Sequence, residues 1–196
     1  RRSNDEWMIP VLSFYLSTMP SFFAHAISAL PLARSFGGSN FRKLAIWSAV
    51  CAVLPDADVL AFRFGIPYES IWGHRGITHS FFFAALLSSV LVLTIFKASG
   101  PRRFAIWCCL FLATASHPLL DAITNGGLGV ALLAPFSDER FLFSFRPIQV
   151  SPIGAGAFFS EWGLRVLKSE GLWVALPSLA WLVVASILRK SATKAE

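Results

Sequence analysis

Apolar positions along the 196-residue chain gather into five runs separated by short polar breaks: Met19–Ala33, Leu44–Phe64, Ser80–Phe96, Phe104–Thr124 and Leu172–Leu188. Runs of this length and character predict membrane helices. Several lie near the lower limit of about 17 residues for a span, which implies tilt or re-entry for some of them. Between the fourth and fifth runs, residues 125–171 are mixed in character. They are rich in Gly, Pro and Phe and carry Asp138, Glu139, Arg140, Arg146 and Glu161. The pattern predicts an all-α, polytopic membrane helical bundle of about five segments with an interfacial cap over residues 125–171. Residues 19–196 read as one membrane-embedded domain. Residues 1–18 read as an N-terminal extension, since Met19 opens a start of its own, MPSFFAHA. There is no internal repeat and no low-complexity tract.

Composition sharpens this picture. Hydrophobic residues make up 55% and charged residues 14%, with a mean hydropathy of +0.61; soluble domains carry about a quarter charged residues. A net charge of +6 would suggest nucleic acid in a soluble protein, but here basic loops that orient membrane helices explain it better, and no nucleic-acid partner is expected. Arg34, Arg42 and Lys43 lie in one loop, Lys97, Arg102 and Arg103 in another, and Arg189, Lys190 and Lys194 in the tail. Five alternating segments put all three clusters on one face, which the positive-inside rule makes cytoplasmic. Cys51, Cys108 and Cys109 sit inside apolar runs without CxxC spacing, so they read as small core residues and not as a disulfide framework or zinc ligands. No small-x-small cleavage site follows the first apolar stretch, so no cleavable secretory signal is expected.

The chemistry gathers at the opposite face. The four histidines are His25 in segment one, His74 and His79 just before segment three, and His117 near the end of segment four, four residues before Asp121. Asp56 and Asp58, in LPDADVL, lie late in segment two. Alternation brings all seven toward one end. In HPLLD, His117 and Asp121 share a helical face about 6 Å apart. Asp56 and Asp58 point apart on a regular helix and reach a common centre only if the backbone unwinds after Pro55, which is tolerable at that depth where it lines a cavity. In GHRGITHS the glycines permit a turn, and Arg75 suits a phosphate oxygen because its planar fork binds such groups bidentately.

Blander roles exist for each residue alone. A single intramembrane His is often a packing residue, Asp121 has Arg75 as an available partner, and Asp56 and Asp58 suit the end of a segment at the water interface. As a set they are costly, since one Asp near the bilayer centre costs about 2.5–3.5 kcal/mol on insertion scales. Metal coordination is the simplest compensation. His and Asp donors without Cys favour Zn2+, with Mn2+ or Fe2+ next. Seven donors exceed one tetrahedral site, so one or two ions are accommodated, and a pair of ions suits phosphoester hydrolysis.

MPSFFAHA, LPDADVL, GHRGITHS, SHPLLDAITNGG and APFSDERF, in that order, resemble the YdjM-like family of membrane-bound metal-dependent hydrolases of the bacterial inner (cytoplasmic) membrane. The resemblance carries presumed ligands onto His25, Asp56, Asp58, His74, His79, His117 and Asp121, the set already picked out by position. It also implies a distant similarity to zinc-dependent phospholipase C and the single-strand-specific zinc nucleases, whose helical clusters include a His-x-x-x-Asp pair like His117 and Asp121.

The expectation is therefore an integral-membrane metal-dependent hydrolase cleaving a lipid phosphoester or pyrophosphate on the periplasmic side. Arg75 would hold the phosphate, Asp56 or Asp58 would act as base where it is not a ligand, and the Phe-rich SFFF and FLFSF stretches would line the lipid's path. Two alternatives come from other classes. A metal or ion transporter is disfavoured because the ligands gather at one end, whereas carriers bind near the midplane. A membrane scaffold with a structural metal would show a closed coordination shell and no turnover. Haem suits a carboxylate-rich cluster poorly.

Overall fold

Each of the five apolar runs, over its described residues, lies on a helical rod in the computed structural model, which describes residues 21–151 and 160–192. The expected extension over residues 1–18 lies outside the described residues. Helix α1 spans Phe22–Phe36 and starts where the Ser21 hydroxyl accepts from the Ala24 amide. Helix α2 spans Phe41–Val53 and tightens after Val53 into a 3-10 turn over Leu54–Phe64, with Pro55 in its first positions. Helix α3, Phe81–Leu91, is capped by the Ser80 hydroxyl on the Phe83 amide and ends in a wide turn over Val92–Phe96. Helix α4 spans Gly100–Ala122. The final rod is α5, Glu161–Glu170, and α6, Leu176–Ala192, joined by a wide turn over Gly171–Ala175.

Three rods have the length and composition of a span: Phe41–Phe64, Gly100–Ala122 and Glu161–Ser191, with 24, 23 and 31 residues. The rod Phe81–Phe96 is shorter. Helix α1, with 15 residues, extends about 22 Å, less than the roughly 30 Å of hydrocarbon. The expected all-α membrane bundle is what forms. The described residues contain no strand, only isolated bridges at Thr124–Ile148 and Val130–Phe141.

Burial shows which rod is central. Half of the apolar stretch of α4 is inside the protein, 50% against 11% for the last rod. Around α4 the packed surfaces are made of small side chains: Ala29, Ala33, Cys51, Ala52, Cys109 and Ala113 are all fully buried. Lipid tails are as apolar as leucine, so close van der Waals approach is what holds such helices together, and small residues permit it. The cysteines are free, and Cys51 and Cys109 are buried as expected. Large side chains such as Ile46, Leu86, Leu93, Trp181 and Leu188 face outward, as suits a surface in contact with lipid.

The three basic loops meet at one end. The Arg34 Nε donates to the Ser186 hydroxyl at 3.0 Å, Arg189 Nη1 to the Arg34 carbonyl at 3.2 Å, and Lys43 Nζ to the Ile95 carbonyl at 2.8 Å. The three basic clusters therefore lie on one face, as the sequence led us to expect. The cap differs from expectation at its far limit. Residues 125–151 are irregular, but the last rod begins at Glu161 and not at Leu172. The stretch EWGLRVLKSE has a polar face with Arg165 and Lys168 and a buried face with Gly163, Val166 and Glu170, so it is helical without forming an apolar run. Glu170 reaches across to Ser21, accepting from its amide at 2.5 Å and its hydroxyl at 2.6 Å, and ties this rod to the start of α1.

Candidate metal centre

At the end away from the basic loops, four segments deliver imidazoles and carboxylates to one place. Helix α1 brings His25 in its first turn, the 3-10 turn after α2 brings Asp56 and Asp58, the GHRGITHS loop brings His74 and His79, and the end of α4 brings His117 and Asp121. The loop is tightly wound, and Gly76 allows this: a Cβ there would stand 2.2 Å from the Ile71 carbonyl oxygen.

The 3-10 turn decides what the two aspartates do. With about three residues per turn, positions two apart diverge by about 120° around the axis. Asp56 and Asp58 accordingly take opposite sides of one ring. Asp56 Oδ1 lies 3.6 Å from His79 Nε2, and Asp58 Oδ2 lies 3.1 Å from His79 Nδ1. The backbone does not unwind after Pro55 as expected: it tightens into a 3-10 turn from Leu54 onward, and that change of winding places both aspartates on one imidazole.

Asp56, His79, His117 and Asp121 each offer one donor atom, all within 4.8 Å of one another. The distance from His117 Nε2 to His79 Nε2 is 3.0 Å, and that from His117 Nε2 to Asp56 Oδ1 is 3.2 Å. His79 Nε2 is 3.4 Å from Asp121 Oδ2 and 3.6 Å from Asp56 Oδ1, and His117 Nε2 is 3.9 Å from Asp121 Oδ2. Bonds of about 2.0–2.1 Å to a tetrahedral zinc give donor–donor edges of about 3.4 Å. The median of these five edges, 3.4 Å, has that length.

Hydrogen bonds behind the rings fix what they present. His117 Nδ1 lies 2.7 Å from the Ala52 carbonyl, which can only accept, so Nδ1 carries the proton. His79 Nδ1 faces the Asp58 carboxylate and the Thr78 hydroxyl oxygen at 3.0 Å, while that hydroxyl donates to Asp58 at 2.6 Å; Nδ1 is again the donor. In their neutral forms both rings then direct Nε2 lone pairs at each other across 3.0 Å. That arrangement is satisfied by a shared proton or by a cation between or beside them. His79, outside the spans, responds accordingly: burial alone would lower its pKa, but the Asp58 charge and the hydrogen bonds to Asp121, Asp56 and Asp58 outweigh burial and hold it well above its ordinary value. With the imidazoles neutral, as metal binding requires, Asp56, Asp58 and Asp121 against Arg75 leave two negative charges, which one divalent ion neutralises.

The donor set therefore fits a divalent metal ion, and further atoms support the fit. Both His25 nitrogens, His74 Nε2 and Asp56 Oδ1 are buried without a hydrogen-bond partner, and such atoms are costly to leave unsatisfied. His25 stacks on His117 with centroids 3.8 Å apart, its Nε2 3.6 Å from Asp121 Oδ1. His74 Nδ1 donates to Asp58 Oδ1 at 2.6 Å, and with Asp58 and His79 forms a second group of metal-ligand type. Six of the seven residues singled out in the sequence fall in two groups that share His79, and His25 packs beside the first of them on His117 and Asp121.

Arg75, considered in the sequence as a phosphate holder, is fully buried with its Nε 2.9 Å from Asp121 Oδ2 and its Nη1 donating to the Gly126 carbonyl at 3.1 Å. It adopts φ +60°, a left-handed conformation that costs a non-glycine residue about 1–2 kcal/mol. Gly127 lies against its guanidinium: a Cβ there would stand 2.1 Å from Nη1. Arg140 was given no role from the sequence, yet its guanidinium donates to the carbonyls of His74, Gly129, Tyr68 and Ser70 at 3.0–3.3 Å and lies over the Tyr68 ring. It fastens the cap to the loop that carries His74 and His79. The one available signal was a lone cation in APFSDERF, amid phenylalanines.

Residues 19–192 match a family described as YdjM inner membrane protein. The chain is also similar to Inner membrane protein YbcI of Escherichia coli (strain K12), with 41% identity over 169 residues, 82% of this chain and 94% of that protein. No solved structure matches.

Proposed function

The chain belongs to the YdjM family of inner membrane proteins, and from that premise we propose that the buried cluster is the centre of a membrane-embedded metal-dependent hydrolase acting on a lipid phosphoester or pyrophosphate. The observation that carries this reading is the convergence of His79 Nε2 and His117 Nε2 with two carboxylates within 4.8 Å of one another, with further unpartnered nitrogens on His25 and His74 beside them. One ion uses four donors; the surplus suits a second ion or proton transfer, which a purely structural site does not need.

In this reading Asp56, His79, His117 and Asp121 hold the ion, with Zn2+ favoured and Mn2+ or Fe2+ next. Bound there, such an ion supplies Lewis acidity toward a phosphoryl oxygen and acidifies water. The protein's own groups do the rest. Asp58 fixes the tautomer and direction of His79, as carboxylates behind metal-binding imidazoles do. Arg75 balances and orients Asp121, and a role on phosphate would require it to leave that partner. Asp56 is 15% exposed where the other three donors are fully buried, so substrate arrives on its side. Exposed Phe22, Phe64 and Phe136 give the surroundings an apolar character suited to a lipid tail. With the basic loops at the other end, the positive-inside rule turns this site to the periplasmic leaflet.

A second reading has one observation in its favour. Four protein donors already complete a tetrahedron, and closed shells belong to structural metals, so a membrane scaffold with a structural ion is the competitor. Purified protein in nanodiscs, offered lipid phosphomonoesters, phosphodiesters and pyrophosphates, separates the two. The hydrolase reading expects phosphate or headgroup release that is lost in His117→Ala with the helical signal unchanged. Release unaffected by that substitution would remove it, and full metal retention with no release from any lipid would install the scaffold.

A further inference from the structure

The end of the bundle away from the metal centre has a feature that the proposed hydrolysis does not use. Where α3 runs out and α4 begins, a groove of about 300 Å³ opens between them, lined by Leu93, Phe104, Trp107, Val92 and Arg103. Its outer walls are exposed side chains, Leu93 and Phe104, so it is continuous with the lipid-facing surface of the bundle. Its polar atoms pair among themselves: the Trp107 indole N–H donates to the Ser89 hydroxyl at 3.0 Å, and that hydroxyl donates to the Ala85 carbonyl at 2.8 Å. Phe104, Trp107 and Phe111 stack with interplanar angles of 8° and hold that wall rigid. What remains is an apolar slot, too small for a helix.

Charge identifies the occupant. Of the lining residues only Arg103 is charged, and its Nε donates to the Ala98 carbonyl at 2.7 Å, which anchors the guanidinium at the turn. Lys97 and Arg102 lie beside it in sequence, and residues 81–120 contain no Asp or Glu. Lys43, reaching the Ile95 carbonyl from α2, adds another cation. An apolar slot open to lipid beneath uncompensated cations is complementary to an acyl chain carrying a negative headgroup. We propose that this groove is a binding site for one anionic phospholipid, its chain along Trp107 and its phosphate on Arg103 with Arg102 and Lys97. The proposal is independent of any catalytic reading of the other end.

Tryptophan quenching tests it. The full-length protein is placed in phosphatidylcholine bilayers and titrated with phosphatidylglycerol or phosphatidylcholine brominated on the acyl chains, and the Trp107 component is taken as the difference between wild type and Trp107→Phe. Phosphatidylglycerol should half-quench that component at a mole fraction about fivefold or more below phosphatidylcholine, and each cation removed should cost about fivefold. Arg102→Gln with Arg103→Gln should abolish the preference, whereas Arg63→Gln, exposed at the opposite end, should leave it intact. Equal quenching by the two lipids, a preference that survives the double substitution, or a Trp107 component that neither lipid quenches would overturn the proposal.

Discussion

Replacing Asp58 with asparagine separates support of a ligand from ligation itself. Asp58 Oδ1 meets His74 Nδ1 at 2.6 Å, while Oδ2 receives the Thr78 hydroxyl at 2.6 Å, the Arg75 amide at 3.1 Å and His79 Nδ1 at 3.1 Å. Asparagine keeps the shape but has a single oxygen. With that oxygen toward Thr78, Arg75 and His79, its NH2 group faces His74 Nδ1 and forces the other tautomer there; turned round, it sets a donor against three donors. In either orientation His79 loses a charge-assisted partner, and the cluster loses one of the two negative charges that balance a divalent ion. Removing such a partner lowers metal affinity about 10–100-fold, roughly 1.4–2.7 kcal/mol. The assay is competition for Zn2+ against a chelator of known affinity, with wild type and His117→Ala alongside. An unchanged affinity would refute the orienting role. A loss as complete as that of His117→Ala would show that Asp58 binds the ion directly.

Three further outcomes are expected. Arg140→Ala should remove about 3 kcal/mol or more through lost charge-assisted bonds to carbonyls and should open the cap to limited proteolysis, with Arg140→Lys recovering only part because an ammonium cannot span the same acceptors. Gly127→Ala places a methyl against the Arg75 guanidinium at φ +89°, which should cost about 2 kcal/mol or more in strain and displaced contacts and reduce metal retention after dialysis. Ala113→Leu, fully buried on α4, should destabilise by about 1–3 kcal/mol through overpacking, whereas the exposed Leu188→Ala should stay within about 0.5 kcal/mol; thermal unfolding in one detergent compares them.

Much of this architecture could be read from the chain because its determinants are local. Five apolar runs give five rods, and the His117–Asp121 spacing sets both side chains on one face without tertiary information. The gathering of seven donors followed from counting segments. What could not be read depends on backbone detail or distant contacts. Nothing in LPDADVL states that the turn after Pro55 will be 3-10 over Leu54–Phe64 and send its aspartates to opposite sides of His79. Arg140 finds the His74 carbonyl 66 residues away, a pairing that local pattern does not encode. The helix Glu161–Glu170 was missed because half its surface is polar. The closure of Arg75 on Asp121 was one of two partnerships open to that guanidinium, and only packing against Gly127 chose between them.

The claim on which the rest depends is that two imidazoles and two carboxylates from three segments surround one divalent ion. X-ray absorption at the metal edge of the purified protein measures that shell directly. The expected result for zinc is one ion per chain with only nitrogen and oxygen neighbours at about 2.0–2.1 Å, the outer-shell scattering of two imidazoles, and loss of both in His79→Ala. A chain that retains no metal, or a shell containing sulfur at about 2.3 Å, would contradict it.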